Sequence, residues 1–214
     1  MIVNERITGY LHSLDQGNGE LLDEIERKAR TEQVPIIRKE TAALLKTMVV
    51  SKQPKAILEV GTAVGYSALI MSQVMPADCR ITTIEKYPPR IKEAQKNFRL
   101  AGEENRICLM AGDAEEILKG LQGVYDFVFM DGAKGQYLHW LPLILEKMSA
   151  GGILFSDNVL QDGDLAESRF AVERRDRTIH KRMREYLYTL THHPQLQSAV
   201  VPVGDGVTIS VKLY

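Results

Sequence analysis

The chain has 214 residues, of which 44% are hydrophobic and 26% charged, and its formal net charge is -1. That length predicts one domain with a modest extension and a sizeable core, and the composition, ordinary for a globular protein, excludes neither acidic nor neutral partners. The two cysteines, Cys79 and Cys108, stand in no metal-ligand spacing, which argues against a disulfide framework and a structural zinc, and no run of about eighteen apolar residues suggests a membrane span.

The opening stretch, MIVNERITGYLHSLDQ, is acidic and polar rather than signal-like, so a cytoplasmic location is expected, with both thiols buried in a reducing compartment. Segments 2–15, 20–32 and 38–51 place apolar residues at helical spacing, and Pro35 breaks the chain between the second and third. They predict a helical N-terminal extension over 1–53, continuous with an α/β core over 54–214. After Pro54, short β-rich runs alternate with helix-length polar segments: AILEV at 56–60, RITTI at 80–84, RICLM at 106–110, YDFVFM at 125–130 and GILFS at 152–156. Such alternation predicts right-handed βαβ crossovers and a doubly wound parallel sheet covered on both faces. At the end, QSAVVPV (197–203) and GVTISVK (206–212) flank a Gly204-Asp205-Gly206 turn, a hairpin signal that makes the last strand antiparallel. Seven strands in one mixed sheet are expected.

The candidate chemistry lies at the strand ends. The first run ends in Glu59-Val60-Gly61-Thr62-Ala63-Val64-Gly65-Tyr66-Ser67, and its glycines permit a sharp turn and close approach of a ligand to the following helix N-terminus. Glu59, Gly61, Gly65, Tyr66 and Ser67 of this stretch are candidate cofactor contacts. A nicotinamide enzyme would carry GxGxxG here, and this loop lacks it. Glu85, ending the second run, can accept from both ribose hydroxyls of an adenosine ligand or can serve as a first-turn charge of the next helix. Asp113, with Ala114, can meet a base edge, cap the next helix, or do both. Asp131, Asp157 and Asn158 end the fourth and fifth runs on the same edge; these oxygen-only ligands suit Mg²⁺ rather than zinc. Lys134 follows Asp131 by three residues and beside a cation is a candidate base.

Taken in order, ILEVGTAVGYSA, TTIEK, GDA, FMDGAKGQY, FSDNV and VPVGDGVTIS resemble the catechol and caffeoyl-CoA type of S-adenosylmethionine-dependent O-methyltransferases over about residues 34–214. Within that family, VPIIRKE and THHPQLQSAVVPVGDG are similar to the bacterial tRNA 5-hydroxyuridine methyltransferases. The resemblance implies a Rossmann-like fold in which S-adenosylmethionine is surrounded by Gly61, Ser67, Glu85, Asp113, Ala114 and Asp131, with Ile37 nearby. It also implies Asp131, Asp157 and Asn158 as Mg²⁺ ligands, Lys134 as general base, and a homodimer that the N-terminal helices could join. Gly132 and Ala133 stand where some catechol enzymes have bulkier residues, and no acidic residue corresponds to the one that grips a second catechol hydroxyl.

Segment 169–184, RFAVERRDRTIHKRMR, carries seven basic residues against two acidic ones, a formal +5. Read as a helix, it puts Val172, Ile179, Met183, Tyr186 and Leu190 on an apolar stripe, with Arg174, Arg177, Lys181 and Arg184 opposite. That basic face is a solvated surface, a site for the coenzyme A tail of a phenolic thioester, or a contact for tRNA phosphates. The expected reaction is methyl transfer to a hydroxyl with a neighbouring oxygen: 5-hydroxyuridine of a tRNA anticodon loop, or alternatively a small catechol or caffeoyl-CoA-like phenol. A non-catalytic RNA-binding module is disfavoured by the ordered strand-end carboxylates.

Overall fold

The computed structural model describes residues 2–214. Three helices open the chain: α1 (Glu5–Ser13), α2 (Glu20–Thr31) and α3 (Lys39–Lys52). Asn4 caps the first by accepting the Arg6 N–H, and Glu5 occupies the first turn, where the helix dipole favours an anion. Gln53, with a left-handed backbone at φ 52°, ends the third just before Pro54. Leu22, Ile25 and Ala29 of α2 and Leu45 and Val49 of α3 enter the same apolar cluster as Ile57 and Phe127 of the sheet.

Strand and helix then alternate: β1 (Ala56–Val60), α4 (Tyr66–Ser72), β2 (Arg80–Glu85), α5 (Pro88–Ala101), β3 (Ile107–Ala111), α6 (Ala114–Gly120), β4 (Tyr125–Met130), α7 (Tyr137–Lys147), β5 (Met148–Ser156), α8 (Arg177–His192), β6 (Leu196–Val201) and β7 (Val207–Lys212). One seven-stranded sheet results, in the order β3-β2-β1-β4-β5-β7-β6. The first five strands are parallel, and β7 is antiparallel to both β5 and β6. This is the doubly wound, Rossmann-like mixed sheet expected from the alternation. Period-2 side chains of the central strands feed two cores: Ile57, Phe127, Phe129 and Phe155 face α2 to α5, while Leu58, Val60, Val128, Met130 and Leu154 face α6 to α8. Each such fully buried side chain contributes about 1.5–3 kcal/mol of transfer free energy.

Register positions the functional edge. Val60 pairs with both Ile84 and Met130, and Met130 pairs with Ser156. The next residues, Gly61, Glu85, Asp131 and Asp157, therefore leave the sheet at one level. Strand order reverses between β1 and β4, and at such a switch point the flanking loops part to leave a crevice.

Two expectations need correction. Cys79 is buried, but Cys108 is exposed, because β3 is an edge strand with one face in solvent. Residues 169–176 are not helical; α8 begins at Arg177 and runs to His192. There the backbone takes turns instead, with the Ala171 N–H on the Ser168 carbonyl at 2.8 Å and the Asp176 N–H on the Glu173 carbonyl at 2.9 Å. Side chains of α8 take the loop's carbonyls: Arg177 reaches that of Val172, and Arg184 that of Glu167. Val172, Met183, Tyr186 and Leu190 are nevertheless buried as the stripe predicted, and His180 joins them. Among the described residues, no helix is long and apolar enough to cross a membrane.

Candidate active site

The turn after β1 continues the sheet's ladder for two residues, since the N–H groups of Gly61 and Thr62 both donate to the Ile84 carbonyl, at 3.1 and 3.2 Å. Gly61 has φ 107°, and a Cβ there would run into the Asp131 carbonyl, so only glycine lets β1 and β4 approach so closely at the switch point. Behind the turn lies a polar frame. Glu59, fully buried, accepts the Ser67 and Thr83 hydroxyls at 2.5 Å each, and Thr83 in turn is 2.5 Å from the Thr62 hydroxyl. Burial pushes the Glu59 carboxyl up to about 7, against the pull of its two hydroxyl donors. Tyr66 donates to Glu26 of α2 at 3.2 Å, and the Phe98 ring fills the space where a Gly65 Cβ would point. Of the predicted loop residues, Gly61 lines the adjoining cavity, whereas Glu59, Gly65, Tyr66 and Ser67 build its support.

That cavity, of about 470 Å³, extends from the Gly61 turn past Glu85, Asp113, Ala114 and Asp131 to Trp140. Glu85 bridges two loops: one oxygen accepts the Ala63 N–H at 2.9 Å, the other the N–H groups of Lys86 and Tyr87, both at 2.9 Å. Asp113 caps α6 through the Glu115 N–H at 3.0 Å and also lines the cavity, so the two roles proposed for it coexist. Ile37 is 2% exposed and packs into the core, while its neighbours Val34 and Pro35 form the cavity wall. Sequence reasoning missed Trp140 and Tyr87; Trp140 sits at helical spacing from Tyr137 and reads as core.

A second cavity of about 470 Å³ shares Val34, Pro35, Asp131 and Lys134 with the first and adds Arg38, Asn158 and Asp205. The Asp131 N–H donates to Val60 and the Asp157 N–H to Met130, each at 3.0 Å, which holds both aspartates at the strand ends. Asp157 is 2% exposed; it accepts the Asn158 backbone N–H at 2.7 Å and the Asn158 side-chain amide at 3.3 Å. Asn158 itself has φ 60°, a left-handed position that asparagine tolerates better than most residues. Burial and the charge of Asp131 push Asp157 up to about 8, and burial also raises Asp131. Lys134, which opens the 3-10 turn Lys134–Gln136, opposes both shifts with its positive charge. Two carboxylates so short of counter-charge, with an amide oxygen next to them, fit a hard cation that keeps several waters. Among the described residues, no group of three or more His, Cys, Asp or Glu side chains converges on a metal position, so any such ion would depend on Asn158.

One wall of the second cavity is clamped. Arg38 donates to Asp162 at 2.9 Å through Nη2 and to Asp205 at 3.1 Å through Nε, joining the start of α3, the loop after β5 and the β6–β7 turn. Burial and the hydrogen bond that its protonated carboxyl donates to Asp162 raise Asp205 to about 6 despite the guanidinium. Nothing in the spacing of these residues announced the clamp. The predicted basic residues do not form one helix face: Arg174 is exposed in the preceding loop, while Arg177, Lys181 and Arg184 project from α8. Arg182, which the sequence reading did not single out, donates through Nη1 to the Gly135 carbonyl at 3.0 Å and ties α8 to the Lys134 turn.

This edge, with a nucleotide-sized cleft bordered by Glu85, Asp113, Asp131 and Lys134, has counterparts among known proteins. A caffeoyl-CoA O-methyltransferase of Stellaria longipes is 29% identical over 177 residues, covering 80% of this chain and 73% of the relative. A catechol O-methyltransferase of Niastella koreensis is 34% identical over 119 residues, 54% of each chain. The S-adenosylhomocysteine-bound methyltransferase of Podospora anserina superposes with a TM-score of 0.88 at 26% identity, covering 98% of this chain and 95% of that one. The family model described as O-methyltransferase matches residues 12–213, and the chain belongs to that family.

Proposed function

We propose that the protein transfers a methyl group from S-adenosylmethionine to a hydroxyl flanked by a second oxygen, and that its acceptor is 5-hydroxyuridine in tRNA. The donor is supported by the Podospora relative, which holds the demethylated product S-adenosylhomocysteine. In this reading Glu85 accepts the ribose hydroxyls, Asp113 and Ala114 border the base, and Gly61 lets the sulfonium end approach Asp131. Glu59 and Ser67 fix the turn from behind. S-adenosylmethionine supplies an electrophilic methyl group, so no covalent enzyme intermediate is required. Asp131, Asp157 and Asn158 would hold Mg²⁺, which when bound supplies Lewis acidity toward the acceptor's oxygens and fixes their orientation. Lys134 takes the acceptor's proton at Nζ. Its place in a rigid turn, held by Arg182 through Gly135, keeps it at the junction of the two cavities.

One observation carries the tRNA reading: α8, which with the loop before it bears the basic residues of 169–184, is joined through Arg182 to Gly135 in the turn that bears Lys134. Phosphates bound there would bring a splayed loop base to the acceptor cavity. 5-Hydroxyuridine has a hydroxyl beside a ring carbonyl oxygen, the same pairing of oxygens that a catechol offers. The relatives named for caffeoyl-CoA and catechol favour a second reading, a small phenol with adjacent oxygens. Exposed Ile7 and Tyr10 of α1, with Leu14 just after it, would supply the contact of a homodimer, and a tRNA acceptor implies a cytoplasmic enzyme.

The acceptor is decided by initial rates on hydroxyuridine-containing tRNA, catechol and caffeoyl-CoA with one enzyme preparation. The tRNA is expected to be methylated fastest. Changing Arg174, Arg177, Lys181 and Arg184 together to glutamine should raise its apparent KM and flatten the salt dependence, with little change toward a phenol. Methylation of caffeoyl-CoA with none of the tRNA would establish the second reading.

A further inference from the structure

The loop between β5 and α8 carries Phe170, at 81% exposed the most exposed large apolar side chain among the described residues. The loop beneath it is pinned. Arg177 donates to the carbonyls of Val172 and Phe170 at 3.4 and 3.5 Å, and Arg184 donates to that of Glu167 at 3.4 Å. His180 Nε2 lies 3.3 Å from the same Glu167 oxygen, and Val172, 8% exposed, anchors the loop in the core. Phe170 is thus held outward by a fixed backbone. One face of its ring is covered by the Arg177 guanidinium, 5.7 Å from the centroid, which leaves the other for a flat ligand.

The surroundings define that ligand. Among the described residues, Arg169 and Arg174 have no ion-pair partner, and the segment's charge is +5. An exposed aromatic side chain in a loop that also carries two unpaired arginines matches an unpaired nucleobase and its phosphates; a lipid surface or an apolar protein partner would call for a broader apolar patch. The Arg182–Gly135 bond joins this loop's helix to the Lys134 turn. We propose that Phe170 is a stacking platform for an unpaired base of the RNA acceptor, a neighbour of the base that enters the acceptor cavity. The inference rests on the tRNA reading and adds to it a contact that phosphate binding alone does not require.

The test measures fluorescence-anisotropy affinities for a synthetic anticodon stem-loop RNA and a blunt RNA duplex of equal phosphate number. Wild type, Phe170→Ala and Phe170→Trp are compared, with melting temperatures and solution mass recorded for each. Phe170→Ala should weaken stem-loop binding about ten-fold while leaving its salt slope and the duplex affinity unchanged, and Phe170→Trp should bind the stem-loop at least as well as wild type. Stem-loop affinity that is unaltered in Phe170→Ala overturns the platform and leaves the tRNA reading standing. Failure of wild type to bind either RNA overturns both. A loss of solution mass in Phe170→Ala would identify a contact between protein copies and overturn the platform.

Discussion

Glu59 illustrates how a buried carboxylate can serve the site without facing it. Its two oxygens take the Ser67 and Thr83 hydroxyls, yet burial outweighs them and lifts its pKa from 4.5 to about 7. The folded protein therefore binds this proton more tightly than the unfolded chain. Its contribution to stability is complete below the unfolded pKa and is lost as pH rises through about 7. The whole effect is on the order of 3 kcal/mol. Glu59→Gln should reduce by that amount the stability lost between about pH 5 and about pH 8 in chemical denaturation. An unchanged pH dependence would show that Glu59 does not titrate in this range. Lys134, proposed as the general base, is a different case. Lys134→Ala should lower turnover by about 10²–10⁴-fold, less at high pH where the acceptor ionises unaided. Lys134→Arg should not restore it, since guanidinium stays protonated. Native rates in the arginine variant would make Lys134 a purely electrostatic residue.

The elements were read from the sequence with uneven success, for physical reasons. Alternation of β-rich runs with helical segments located the five parallel strands, whose apolar runs are bounded by turn residues, and the Gly204-Asp205-Gly206 turn located the antiparallel hairpin of β6 and β7. β6 ends at Val201 because Pro202 has no N–H to continue the ladder. Where the helix expected over 169–184 starts late, the Arg177 side chain takes the Val172 and Phe170 carbonyls that a longer helix would have used, which hydrophobic periodicity does not report. The Arg38 clamp was invisible for a similar reason: Arg38 and Asp205 are 167 residues apart and meet only once the β6–β7 turn packs on the loop after β5. That packing includes the Val159 N–H on Gly206 and the Leu160 N–H on Asp205, at 2.9 and 3.0 Å. Arg38→Ala should cost about 1–2 kcal/mol, less than a fully buried pair, because Asp162 is half exposed. It should also speed hydrogen exchange of amides 157–166 and lower activity through Asn158. Exchange in that loop identical to wild type would contradict the clamp. Arg38→Lys should recover only part of the effect, because an ammonium cannot fork to two carboxylates in fixed geometry.

At the scale of the whole molecule, the edge of the sheet was legible and its cover was not. Gly61, Glu85, Asp113, Asp131 and Asp157 could be placed together because parallel register brings successive strand ends to one level. The residues that close the site come from elsewhere: Val34 and Pro35 from the segment before α3, Trp140 from α7, Asp205 from the last turn. Their role depends on how the N-terminal helices and the hairpin pack, which short-range patterns do not encode. In the proposed function, Asp131, Asp157 and Asn158 would hold a divalent cation beside the acceptor. This reading is tested most directly by methyl transfer from labelled S-adenosylmethionine in thoroughly chelated enzyme, before and after Mg²⁺ is restored, in wild type and Asp157→Ala. Chelation is expected to abolish wild-type turnover and Mg²⁺ to restore it, while Asp157→Ala stays inactive yet still binds S-adenosylmethionine. Full wild-type turnover under chelation, or native turnover in Asp157→Ala, would contradict that reading.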